Sequence, residues 1–232
     1  MTLRLYDLAG ADPQIRFSPY CWRTKMALAH KGLTVETIPW RFTEKAAIAF
    51  SGQERVPVLM DGDKTVTDSW TIALYLDEAY PDSPALFASA EARAAGFFIK
   101  RWSETQLHPA LVRLIVADIV QILDPADREY FRQSREASLG VGLEDYCRDR
   151  EANLKALDAC LVPLRSSLKA TGFLGGEAPN FADYAVFGAF QWARCSARGD
   201  LLADDDPVAL WFEKLSELYG GLAAGAPRAY AA

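Results

Sequence analysis

The feature that most constrains this chain is a change of periodicity. Stretches suited to β-strands occur only before Asp68, and beyond the segment YPDSPALFA (Tyr80 to Ala88) every apolar pattern has helical spacing. A chain patterned this way reads as an α/β unit followed by an all-helical one. The two prolines of the segment mark a linker. The units read as residues 1–79 and 91–232, with a linker over 80–90. With 232 residues, half of them hydrophobic, each unit can bury its own core.

Within the first unit, Leu3, Leu5 and Leu8 suggest a strand over residues 2–8. A polar loop leads to Ser18-Pro19, a helix opening with serine as N-cap and proline at the first helical position. Trp22, Met26 and Ala29 follow at helical spacing, and Lys31-Gly32 supplies a basic last turn and a stop. A second strand is expected from Thr34 to Pro39, a short helix over 43–51 and a third strand from Val56 to Met60. A tight turn at Asp61-Gly62 leads to a fourth strand at Thr65-Val66, and a helix runs from Asp68 through Ile72 and Leu76 to Ala79.

In the second unit, residues 90–123 predict a long helix carrying Phe97, Phe98, Trp102 and Leu114, kinked or broken at Pro109. Asp124-Pro125 reads as a stop. Further helices are expected over 143–170, bent at Pro163, from Asn180 to Ser196 and from Pro207 to Tyr219. The tail AAGAPRAYAA, residues 223–232, reads as mobile.

Charge and composition exclude several functions. The net charge is −6 and no basic stripe is visible, which argues against nucleic-acid binding. An anionic ligand would need a local positive site, such as a helix N-terminus. No segment approaches the roughly 20 apolar residues of a membrane span. The opening MTLRLYDLAG reads as a strand and not as a signal peptide. Cys21, Cys147, Cys160 and Cys195 lack metal-ligand spacing and read as reduced thiols of a cytoplasmic protein. Two histidines exclude a His-rich site, so no metal is expected.

The stretch Ser18-Pro19-Tyr20-Cys21 is a C-P-Y-C redox motif with its first cysteine replaced by serine. Read locally, Ser18 is a helix cap, and Cys21, lacking a partner thiol, is a small packing residue. Asn180-x-x-Asp183 is a capping-box arrangement with a structural role. Arg23 and Lys25 read as surface charges.

The element order, the S-P-Y-C helix start and the Val56-Pro57 that opens the third strand resemble the thioredoxin-like domain of glutathione transferases. The helical second unit, Asp68-Ser69 and Asn180-Phe181-Ala182-Asp183-Tyr184 agree with that superfamily. Three stretches are similar to its glutathione-dependent β-etherase branch: SPYCWRTK from Ser18, ERVPV from Glu54 and GGEAPNFADY from Gly175. The resemblance implies a thioredoxin-like α/β N-terminal domain followed by an all-α C-terminal domain, the glutathione transferase fold.

It also implies a chemistry. Glutathione, as cosubstrate, brings the thiol that the motif lacks. The Ser18 hydroxyl would donate to its sulfur, and the helix N-terminus would favour the thiolate. Val56-Pro57 would be cis, with the Val56 backbone pairing with the cysteinyl part of the tripeptide and Arg55 beside it. Asp68 and Ser69, at the third helix, would hold the γ-glutamyl end. Trp40, Arg41 and Lys45 are candidates for the glycyl carboxylate. A hydrophobic, aromatic second substrate would lie between the domains, against Tyr20, Phe98, Trp102, Gln106, His108 and Arg113. A homodimer is implied as well.

The expected reaction is attack of glutathione thiolate on an electrophilic carbon, with cleavage of β-aryl ethers as the etherase-like version. General conjugation of aryl electrophiles and non-catalytic binding of glutathione or hydrophobic ligands stay open as alternatives. A thiol oxidoreductase is disfavoured by Ser18.

Overall fold

The computed structural model describes residues 3–230 of the chain, so residue 2 of the expected first strand and Ala231-Ala232 of the tail lie outside it. A four-stranded sheet is built first, from β1 (Leu3–Leu8), β2 (Val35–Trp40), β3 (Val58–Asp61) and β4 (Lys64–Thr67), in the order β2-β1-β3-β4. β1 runs parallel to β2, with Leu5 opposite Thr37, and antiparallel to β3, where Leu5 faces Leu59. The parallel pair needs a crossover, and α1 (Pro19–His30) supplies it. A 3₁₀ helix (Lys45–Ser51) precedes β3, and α2 (Ser69–Ala79) closes the domain. This is the thioredoxin-like arrangement that the resemblance implied.

The helical domain comprises α3 (Ala90–Trp102), α4 (His108–Gln121), α5 (Pro125–Leu139), α6 (Leu143–Tyr146), α7 (Arg150–Thr171), α8 (Phe181–Ser196) and α9 (Pro207–Ser216), with a last turn at Leu218–Gly221. Pro109 does not break the 90–123 stretch. A π-helical segment at Ser103–Leu107 joins α3 to α4, and Pro109 follows directly after this change of register. Asp124-Pro125 is a start as well as a stop. The Asp124 carboxylate caps α5 by accepting from the Ala126 and Asp127 N–H groups, both at 3.0 Å. The expected 143–170 helix is interrupted, and Asp149 caps the new start at α7.

α1 lies between the sheet and α8. Their crossing is so close that a Cβ on Gly188 would sit 2.3 Å from the Pro19 carbonyl oxygen, so only glycine fits there. Trp22, Met26, Phe181 and Phe187 are fully or almost fully buried in the core. Arg23 and Lys25, expected on the surface, are buried too. Lys25 pairs with the buried Asp7 at 2.9 Å beneath the Trp22 ring, and Arg23 crosses into the helical domain. Such pairs stand because removing one partner would strand a buried charge.

The Asp183 carboxylate accepts the N–H groups of Leu174, Gly175 and Asn180 and the Trp211 indole N–H, all within 3.0 Å, which makes the capping box a tie for the whole C-terminal domain. The tail is packed rather than mobile as far as Tyr230. The Arg194 guanidinium donates to the carbonyls of Ala223, Ala224 and Ala226, and Tyr230 donates to the Asp118 carbonyl.

Candidate functional site

A cleft of about 560 Å³ opens between the two domains at the N-terminus of α1. Ser18, Tyr20, Trp40, Arg55, Val56 and His108, all expected site residues, line it. Ser18 is the N-cap of α1, and its Oγ accepts the Cys21 N–H at 3.2 Å. The hydroxyl serves as acceptor in that bond and keeps its own proton to donate. No acidic residue stands in the first turn of α1, so the partial positive charge of the helix end is not neutralised there. Cys21 is a packing thiol: it is fully buried, its Sγ lies 3.9 Å from the Tyr6 carbonyl, and burial together with Asp7 pushes its pKa far up.

The Val56–Pro57 bond is cis, with Val56 on the cleft wall and Pro57 buried behind it. Asp68 adopts φ +69°, a conformation uncommon outside glycine, and its carboxylate accepts from the Trp70 and Thr71 N–H groups at the start of α2. Asp68 lies near enough to Tyr20 to raise the pKa of its phenol, which burial raises most. Ser69 is the first residue of α2. Its hydroxyl is buried and has no hydrogen-bond partner among the described residues. An orphaned buried hydroxyl at a helix start is what an anionic ligand group would complete. Neither Asp68 nor Ser69 is part of the cleft's lining.

The expected holders of the glycyl carboxylate already have partners in the free protein. The Trp40 indole N–H donates to the Glu44 carbonyl at 2.8 Å. Arg41 spends its guanidinium on the carbonyls of Gly10 and Ala11 and on Glu44 and Asp124. Lys45 is paired with Glu54 at 2.8 Å.

On the helical side, Glu104, His108, Val112 and Val116 recur every four residues and line the cleft as one stripe. Phe98, Trp102, Gln106 and Arg113 do not line it. The first three recur at the same spacing but are offset from the stripe by two residues, which turns them to the far side, and Phe98 is 72% exposed. Arg113 is exposed, with its guanidinium 4.5 Å from the Tyr146 ring centre.

Beneath Tyr20, Arg23 donates to Glu104 at 2.7 Å and to the Ala185 carbonyl at 2.9 Å, and its Nη2 lies 3.2 Å from His108 Nε2. A guanidinium only donates, so Nε2 accepts and the histidine proton sits on Nδ1. Burial, reinforced by the Arg23 charge, pushes His108 down to about 3. Burial pushes the Glu104 carboxyl up, but Arg23 and Lys100 outweigh it and hold it below the usual range.

Sequence reasoning missed Phe42, Tyr130, Phe131 and Arg135, which complete the cleft from the loop after β2 and from α5. The loop is fixed by the buried Asp127 of α5, whose carboxylate accepts the Phe42 and Thr43 N–H groups at 2.8 Å and the Thr43 hydroxyl at 2.7 Å. The available signal was Asp124-Pro125, which has the same N-cap and first-turn proline as Ser18-Pro19. A second hollow of about 590 Å³, between α8, α9 and the tail, has Arg194 and Arg228 in its lining, both engaged with tail carbonyls or Asp200.

Residues 94–218 match the family profile described as glutathione S-transferase, C-terminal domain, and residues 13–84 that of glutathione S-transferase, N-terminal domain. Mouse (Mus musculus) glutathione S-transferase omega-1 is 26% identical over 214 residues, which cover 88% of this chain and 75% of that protein. Arabidopsis thaliana glutathione S-transferase Z1 is 36% identical over 80 residues, 32% of this chain and 36% of that one. The chain spans 36% to 66% of the length of the first curated relatives it matches. A solved glutathione transferase of Phanerochaete chrysosporium superposes with a TM-score of 0.84 at 26% identity, over 93% of this chain and 96% of that one. A glutathione S-transferase of Ceriporiopsis subvermispora, solved in complex with glutathione, gives 0.77 at 26% identity, over 94% and 96%.

Proposed function

Because the chain belongs to the glutathione S-transferase family, we propose that it transfers the thiol of glutathione to an electrophilic carbon of a hydrophobic, aromatic second substrate. The observation that carries this reading is Ser18, a hydroxyl held at the N-terminus of α1 by the Cys21 N–H, with its own proton free to be donated into the cleft. A thiol of pKa near 8.5 is mostly protonated at neutral pH. A hydroxyl donor and a helix end both favour its anion, and each unit of lowering is worth about 1.4 kcal/mol. The tripeptide would lie along Val56, its γ-glutamyl carboxylate on the unpaired Ser69 hydroxyl at the start of α2.

In the bond-making step the thiolate sulfur attacks carbon, the S–C bond forms, and the leaving group departs with the bonding pair. The thiol proton has already passed to solvent. In the etherase version the carbon lies next to a ketone, the C–O bond breaks and a phenolate leaves. That leaving group needs no strong acid, which suits a cleft whose only histidine is held neutral. Its aromatic lining, from Tyr20, Phe42, Tyr130 and Trp192, suits an aryl substrate.

The test is glutathione-dependent turnover of α-keto aryl ethers and aryl halides by wild type and Ser18→Ala. Ser18→Ala is expected to keep glutathione affinity and lose roughly ten- to a hundredfold in kcat, about 1.4 to 2.7 kcal/mol. Full turnover in the variant would leave Ser18 a helix cap. Tight binding without any turnover in wild type would favour the non-catalytic binder.

A homodimer belongs to the same reading. Phe50 in the first domain and Phe98 in the second are 52% and 72% exposed, apolar area that a second copy would cover. Light scattering at micromolar concentration should give twice 25.6 kDa; the monomer mass would refute it. Four unpaired cysteines fit a reducing, cytoplasmic setting.

A further inference from the structure

Charges around the cleft are unevenly spent. Glu54 is paired with Lys45, and Glu104 with Arg23, Lys100 and Arg101. Arg55 and Arg135 also line the cleft, and neither has a carboxylate partner among the described residues. They come from opposite walls. Arg55 adjoins Val56, on the side where the tripeptide would lie. Arg135 projects from α5, with its guanidinium carbon 4.8 Å from the Phe131 ring centre and 6.0 Å from that of Phe42. One of its N–H groups donates to the Ser134 hydroxyl at 3.1 Å. A guanidinium has five donors, so most of Arg135's have no protein partner. Burial and the like charge of Arg55 hold it below its ordinary pKa, as befits a cation that lacks a counter-ion.

The rest of the molecule does not explain such a residue. With a net charge of −6 the overall field repels anions, so an anionic ligand must be recognised locally. A guanidinium set over aromatic rings, with most of its N–H groups unpartnered, presents a planar fork, the geometry that matches a carboxylate, next to surfaces that take an arene. We propose that Arg135 binds a carboxylate on the second substrate, so that aromatic acids are the preferred electrophiles of this cleft. Turnover of such acids rests on the transferase reading above; their binding does not.

The experiment uses the full chain with saturating glutathione and a matched pair of probes, 4-chloro-3-nitrobenzoate and 4-chloro-3-nitrobenzamide. Both lose chloride as the S–C bond forms. Their intrinsic reactivities differ but cancel when the acid-to-amide ratio of kcat/KM is compared between proteins. Arg135→Gln is expected to lower that ratio about tenfold, chiefly by raising KM for the acid, and Arg135→Lys to recover part of it. Calorimetry with the inert pair 3-nitrobenzoate and 3-nitrobenzamide should show the same loss of preference for the acid. An unchanged ratio, or an equal loss for acid and amide, overturns the proposal. So does a weakening of glutathione itself by Arg135→Gln with the ratio intact, because Arg135 would then hold the glycyl carboxylate. If wild type turns over neither chloroarene, the transferase reading suffers, and the inert pair still decides for or against Arg135.

Discussion

The two walls of the cleft are built by different means. The α/β side offers main-chain geometry and hydroxyls: in the cleft wall the Ser18 cap and Val56 before its cis bond, and outside the lining Asp68 at φ +69° ahead of the orphaned Ser69 hydroxyl. The helical wall offers long side chains at four-residue spacing, joined by a buried network of Arg23, Glu104 and His108. Backbone-built sites are dictated by a few residues with special conformations. Side-chain-built sites depend on how whole helices are phased.

The largest expected effect separates the walls by pH. His108, on the helical wall, is held neutral down to about 3, whereas the unfolded chain protonates it near 6.5. Between those values the unfolded state binds the extra proton, so stability falls as pH drops from 6.5 towards 3 and is regained as pH rises. One such proton gives a slope of up to about 1.4 kcal/mol per pH unit. His108→Gln should flatten the unfolding free energy by about that slope between roughly pH 4 and 6, measured in urea. His30, lowered mainly by burial, contributes in the same direction and remains in the variant. An unchanged slope would mean that His108 is not held neutral in the fold.

The α/β domain gives the next effect. Ser69→Ala removes a buried hydroxyl that has no partner in the free protein. The free protein should be no less stable, because an unsatisfied group costs about 1 to 3 kcal/mol. Glutathione binding should nonetheless weaken about tenfold, since a hydrogen bond to a charged group is worth about 1.5 to 3 kcal/mol. Calorimetry and a melting curve on the same variant test both halves. A lower melting temperature with unchanged affinity would make Ser69 an ordinary core residue.

The same contrast explains what the sequence could reveal. Ser18-Pro19, Val56-Pro57, Asp68-Ser69 and the Asn180–Asp183 box are local: proline, caps and short polar residues fix conformation within a few positions, so the strands, α1, α2 and α8 could be read directly. The helical wall was harder. The π-helical segment at Ser103–Leu107 and the phase of α3 against α4 decide which face meets the cleft, and Phe98, Trp102 and Gln106 belong to the other one. α5 escaped notice because its run is mostly polar and buries only Asp127 and Phe131 well, although Asp124-Pro125 opens it as Ser18-Pro19 opens α1. Arg135 was lost with it. Trp40 and Arg41 had suitable chemistry, but Trp40 spends its N–H on the nearby Glu44 carbonyl, and the Gly10 and Ala11 carbonyls that engage Arg41 come from chain positions that only the fold brings near.

The smallest expected effect tests that phasing with a pair of substitutions on the same continuous helix. Val112 lies on the stripe that lines the cleft and is half-buried. Val112→Phe puts a ring into the cleft and should raise KM for an aryl substrate several-fold while leaving glutathione affinity alone, because in the proposed reading the tripeptide would lie along the opposite wall. Gln106 is exposed and faces away from the cleft, and a surface substitution of this kind usually changes stability by about 0.5 kcal/mol or less. Gln106→Ala should therefore keep kcat/KM within about twofold, the kinetic equivalent of a few tenths of a kcal/mol. If the two variants exchanged behaviours, the π-helical segment would not set the register described here, and the stripe through Glu104, His108 and Val112 would have to give way to the one through Phe98, Trp102 and Gln106.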